Sequence, residues 1–112
     1  MKASVFATLF AALALAIYIP ATVHAQNAAA GKEVYSKKCQ TCHAADGSGS
    51  PAIAKAMKLE FKHLGSVDVQ KKSDAELKKN INDGFGKMKP VTGVKSADVD
   101  NVVAHLRTLK KK

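Results

Sequence analysis

The chain has 112 residues, 46% of them hydrophobic, but only 5% aromatic and none tryptophan. That excludes a large self-sufficient core and leaves one small domain in need of a staple. The formal charge of +9 would suit nucleic acid, yet no stretch interleaves basic and aromatic residues, so the charge is read as keeping the chain soluble and steering it to acidic partners.

The chain opens on Met1-Lys2, followed by an uncharged apolar run from Ala3 to Ile19, a helix-breaking Pro20, and the compact residues Val23-His24-Ala25. This is the pattern of a secretory signal peptide, residues 1–25, cut between Ala25 and Gln26. The apolar run is at the short end for spanning a bilayer, so an uncleaved anchor is the weaker reading. Residues 26–112 then form the one domain, exported to an oxidising compartment such as the periplasm and expected to be monomeric.

Asn27 is placed to cap a first helix running from Ala28 to the region of Cys39. Gly31 and Tyr35 lie four apart and share a face. A glycine in a helix is costly unless another helix comes close, so Gly31 is read as a crossing point.

Cys39-Gln40-Thr41-Cys42-His43 follows, the pattern C-x-x-C-H. The chemistry this spacing serves is covalent attachment of haem. Two thiols separated by two residues at a helix end add to the two vinyl groups of one porphyrin, and the adjoining imidazole of His43 turns to the iron. A thioredoxin-like dithiol or a disulfide shares only the C-x-x-C and would need a βαβ surround that the sequence lacks. A zinc site would need a second ligand pair, and beyond the motif there are only His24, His63 and His105. A bound haem would also supply the missing core, so the protein without haem is expected to be largely unfolded.

The run from Ala44 to Pro51 is rich in turn residues, and Ser50-Pro51 matches an N-cap and first helical position for a short helix to Met57. Ile53 and Met57 share its face toward the haem. No clear period runs from Lys58 to Lys72, which is expected to be irregular chain anchored by Phe61, Leu64, Val67 and Val69. Ser73-Asp74-Ala75-Glu76 is a capping box for a helix carrying Leu77 and Ile81 and stopping near Asp83-Gly84. Gly84 to Pro90 cannot be regular structure. Ser96 is expected to cap the last helix, whose apolar stripe is Val99, Val102, Val103, Leu106 and Leu109. His105 is assigned to the helix contact.

With His43 on one side of the iron, a second axial ligand is open to Met88, Met57 or His63, or the position stays open. Methionine sulfur favours ferrous iron and raises the potential. Met88 lies in a Gly- and Pro-bounded loop able to reach over the far face, whereas Met57 sits on a helix committed to the edge.

With these residues in place, the chain resembles the small bacterial monohaem class I c-type cytochromes over essentially all of residues 26–112. Cys39, Cys42 and His43 match the family's haem motif, and Gly86-Lys87-Met88-Lys89-Pro90 matches its methionine loop. The resemblance implies an all-α class I cytochrome c fold of about four short helices around one covalently attached haem c. It implies His43 and Met88 as axial ligands and Gly31 and Tyr35 in the helix crossing. It also implies a Pro51 carbonyl that accepts the Nδ1 proton of His43. The last helix often has an aromatic where His105 stands, and many relatives have Met-Pro where Lys89 intervenes here. The implied role is a soluble exported electron carrier, not an enzyme, serving acidic redox partners such as a reductase, terminal oxidase or reaction centre. Lys87 and Lys89 would flank its exposed edge. The alternatives are a haem sensor or peroxidase-like protein with a displaceable sixth ligand, and a domain working within a larger oxidoreductase.

Overall fold

A computed structural model describes residues 26–111; the expected signal peptide, residues 1–25, lies outside the described residues. The described chain is helical, with six segments in order: α1 (Ala28–Lys38), α2 (Gln40–His43), α3 (Pro51–Met57), α4 (Val67–Gln70), α5 (Asp74–Asp83) and α6 (Ser96–Thr108). The fold is therefore all-α. The expected count of about four rises to six because α2 and α4 are single turns of four residues each.

The core is the crossing of α1 and α6, the most extensive contact between elements. Gly31 sits at its centre. A Cβ there would run into the Asn101 carbonyl and the Val102 nitrogen, so the close approach of the two backbones requires glycine. One turn on, Tyr35 is 1% exposed and packs with Val99, Val102, Val103 and Leu106. Burying side chains of this size contributes about 1.5–3 kcal/mol each. The Asn27 carboxamide caps α1, accepting from the Ala30 amide at 3.1 Å, and the Asn27 backbone N–H donates to Asn101 Oδ1 at 2.9 Å, tying the start of α1 to α6.

α5 adds Leu77 and Ile81 to this core. Ser73 caps it by accepting from the Glu76 amide at 3.1 Å. The reciprocal half of the capping box is absent: the Glu76 carboxylate pairs with Lys72 at 2.7 Å instead. At α6 the cap is Lys95, with no side-chain bond, and Ser96 is the first helical residue rather than the cap.

The stretch from Lys58 to Lys72 is more ordered than its lack of period suggests. Gln70 donates through Nε2 to the carbonyls of Leu64 and Leu106, both at 2.9 Å. Arg107 forks onto Asp74 (2.7 Å) and onto the carbonyls of Gln70 (2.8 Å) and Lys72 (2.7 Å). Gln70 from within the segment and Arg107 from α6 thus tie it to the last helix, mostly through backbone carbonyls. Val69 is buried as expected, but Val67 is 78% exposed and anchors nothing. The single turn of α4 puts positions two apart on different sides of the helix.

Candidate haem c site

Cys39 closes α1 and opens α2: its amide donates to the Tyr35 carbonyl, and its carbonyl accepts from His43, both at 2.9 Å. One helical turn therefore carries Cys39, Cys42 and His43. Cys39 and Cys42 form no disulfide. Burial, followed by the neighbouring Cys42, pushes the Cys39 thiol up to about 11.

The turn is held from both ends. After His43 the chain reverses at Ala44, whose φ of 60° is rare for a residue with a side chain. The Tyr35 hydroxyl donates to the Ala44 carbonyl at 2.5 Å and pins that reversal to the core. Burial first, and then the charges of Cys39 and Asp46, push the phenol up to about 12, so it remains a donor. On the far side, Gly49 donates to the His43 carbonyl and Ser50 to the Cys42 carbonyl, both at 2.8 Å. Ser50 is also the N-cap of α3, accepting from the Ile53 amide at 3.4 Å. Helix α3 is thus rooted on the motif's own carbonyls.

His43 is partly buried, with the Phe61 ring edge-on at 5.5 Å. Desolvation lowers its basicity, which favours the neutral imidazole that a metal needs. Its Nδ1 is buried and has no hydrogen-bond partner. The bond to the Pro51 carbonyl implied by the family resemblance is therefore not formed. Pro51 is the first residue of α3, and a carbonyl at that position lies along the helix axis with the helical ladder.

Met88 stands in a tight turn. Its amide and carbonyl exchange hydrogen bonds with Phe85, both at 2.9 Å, with Gly84 (φ 81°) and Gly86 (φ 57°) taking the left-handed positions. Gly84 packs on Pro90, and the Val91 amide donates to the Ile81 carbonyl at 2.9 Å, so the base of the loop rests on α5. The Lys87 ammonium reaches the carbonyls of Met57 (2.9 Å) and Lys58 (3.5 Å) at the end of α3. Met88 is partly buried, whereas Met57 is 41% exposed and Phe85 is 64% exposed.

These residues fit a haem. Two cysteines not tied in a disulfide and one histidine share one turn, with the Phe61 ring beside the imidazole, a set that a flat apolar group could join and cover. No group of three or more His, Cys, Asp or Glu among the described residues could hold a metal ion on its own. The donors therefore suit a prosthetic group that brings its metal with it, not a zinc site. A surface recess of about 460 Å³ between the starts of α1 and α6 is lined by none of these residues.

Sequence reasoning missed three contributors. The Tyr35 hydroxyl differs from a phenylalanine by one atom, with no pattern to announce its partner. Phe61 was named only as an anchor. Lys87 was assigned to the outer edge. Each acts through a contact distant in sequence.

An all-α fold carrying a C-x-x-C-H turn at the end of its first helix defines a haem c protein. The chain belongs to the cytochrome c family, whose model matches residues 28–110, and haem c is its covalently bound cofactor. Among solved structures it is similar to the KustC0563 c-type cytochrome, at 26% identity and a TM-score of 0.60, over 72% of this chain and 98% of that one. No curated protein matches the chain. The family makes it a haem c electron carrier.

Proposed function

We propose that the protein is a soluble exported carrier of single electrons, with Cys39 and Cys42 as thioether anchors and His43 and Met88 as axial ligands. Haem c supplies the one-electron couple between Fe(III) and Fe(II). The chain's part is to hold both ligands stiffly and to keep water from the iron. The observation that carries the reading is the contrast between the two methionines. Met88 is partly buried in a turn closed by reciprocal backbone bonds, while Met57 is exposed on a helix. Filling both axial positions leaves no site for substrate, which favours a carrier over an enzyme or sensor. Arg107, which a peroxidase-like reading would need near the iron, is spent on Asp74 and the carbonyls of Gln70 and Lys72.

The test is the visible spectrum of oxidised and reduced protein matured in the periplasm. Sharp low-spin bands with a weak far-red band in the ferric form, lost in Met88→Ala, are expected. A high-spin spectrum that shifts with carbon monoxide or peroxide would replace this reading with the sensor or peroxidase-like one. Among the described residues no helix is long and apolar enough to cross a membrane.

Docking on acidic redox proteins belongs to the same proposal. Lys89 is exposed directly after Met88. Neutralising it is expected to lower the association rate at low salt and flatten the salt dependence. An unchanged rate would remove Lys89 from the docking edge.

A further inference from the structure

We propose that Lys87 is a positioning residue for Met88: it straps the methionine turn to the helix rooted on the haem motif. This rests on the reading of Met88 as an axial ligand, and deepens it.

Helix α3 has only seven residues, and its end leaves carbonyls to be satisfied. The amide of Lys58 turns back to Ala54 and Lys55, and that of Leu59 to Ala54. The carbonyls of Met57 and Lys58 take the Lys87 ammonium. A cation is the favoured partner there, because a helix C-terminus carries the negative end of the backbone dipoles. Lys58 itself holds the left-handed cap conformation at φ 51°, which turns the chain at the point where the lysine lands.

At the other end of α3, Ser50 donates to the Cys42 carbonyl at 2.8 Å. The helix is thus a short strut from the haem motif to Lys87. Lys87 directly precedes Met88 in a turn stiffened by two backbone bonds and two left-handed glycines. Fixing the lysine therefore limits how far the Met88 backbone can swing. The Val91 amide, bonded to the Ile81 carbonyl, holds the base of this loop to α5. Among the described residues, Lys87 makes the side-chain bond that reaches from the turn to the motif's side of the molecule, across a separation of 30 residues.

The strap is tested on ferric holoprotein at pH 7 by following displacement of the methionine by imidazole, read as loss of the far-red band. Lys87→Gln loses the charge and falls one atom short of the lysine's reach. Its displacement rate is expected to rise on the order of fivefold, the scale of one partly solvated charge-assisted hydrogen bond. Lys87→Arg, which keeps the charge and the reach, is expected to stay near wild type. Lys71→Gln, which removes a lysine paired with Asp68 on the outside of α4, controls for overall charge and is expected to change nothing. A Lys87→Gln rate equal to wild type, with the far-red band present, would overturn the strap and leave the ligand assignment standing. A wild-type protein without the band, or Met88→Ala taking imidazole at the wild-type rate, would sink both.

Discussion

The α1–α6 crossing and the haem-motif side are built on different physics. The crossing is side-chain packing: Tyr35 at 1%, Val103 fully buried, and backbones close enough to demand Gly31. The motif side is backbone hydrogen bonding. Cys42, His43 and Ala44 have their carbonyls taken by Ser50, Gly49 and Tyr35, while Met57 and Phe85 stay exposed. One region is finished by the chain itself. The other is shaped and stiffened by the chain, and its apolar surface is left for the covalently bound haem to cover. Tyr35 belongs to both, with its ring in the core and its hydroxyl on the reversal after His43.

If that division is right, the largest effect comes from withholding haem. The Cys39→Ala/Cys42→Ala protein is expected to show no cooperative thermal transition by circular dichroism, because the crossing alone is a small core for a domain of this length. A cooperative transition would show that the crossing folds unaided. Gly31→Ala attacks the other region. The added Cβ meets the Asn101 carbonyl, and the gain in helix propensity offsets only part of that strain. The expected cost to the holoprotein is about 2 kcal/mol, a Tm lower by roughly 10 °C. The far-red band should survive, since the methionine turn rests on α5 and α3. Its loss would mean that the two regions do not separate.

The crossing was legible in the sequence because helix periodicity reports directly on packing. Gly31, Tyr35 and the Val99–Leu106 stripe all landed as read, as did the Asn27, Ser50 and Ser73 caps. The haem anchors were legible because covalent chemistry fixes their spacing. Bonds between distant backbone and side-chain groups left no such trace. Gln70 and Arg107 order a segment without periodicity by binding carbonyls, and carbonyls are the same in every residue. The Lys95 cap carries no capping side chain, so Ser96 looked the better choice. The Pro51 carbonyl was carried over from family resemblance, and the His43 Nδ1 that it would serve has no hydrogen-bond partner here.

The finest separation of the two regions is by pH, through His105. It is 6% exposed, its ring lies 4.9 Å from that of Tyr35, and its Nε2 is buried without a partner. Thr108 is its neighbour on α6, and Lys32 faces it from α1 with a like charge. Burial first, and then Lys32, hold its pKa below the ordinary 6.5. The folded state therefore resists a proton that the unfolded chain accepts. Stability from this group is complete above about 6.5 and is lost as pH falls through that value toward the lowered folded one. His105→Phe removes the titration and keeps a ring against Tyr35. The Tm difference between variant and wild type should therefore move in favour of the variant as pH drops from 8 to 5. Comparing the pair cancels the acid response of the surface carboxylates. A difference that stays flat would mean that the crossing tolerates a charged His105. In that case the packed region is wetter than its burial implies, and the contrast with the motif side is one of degree.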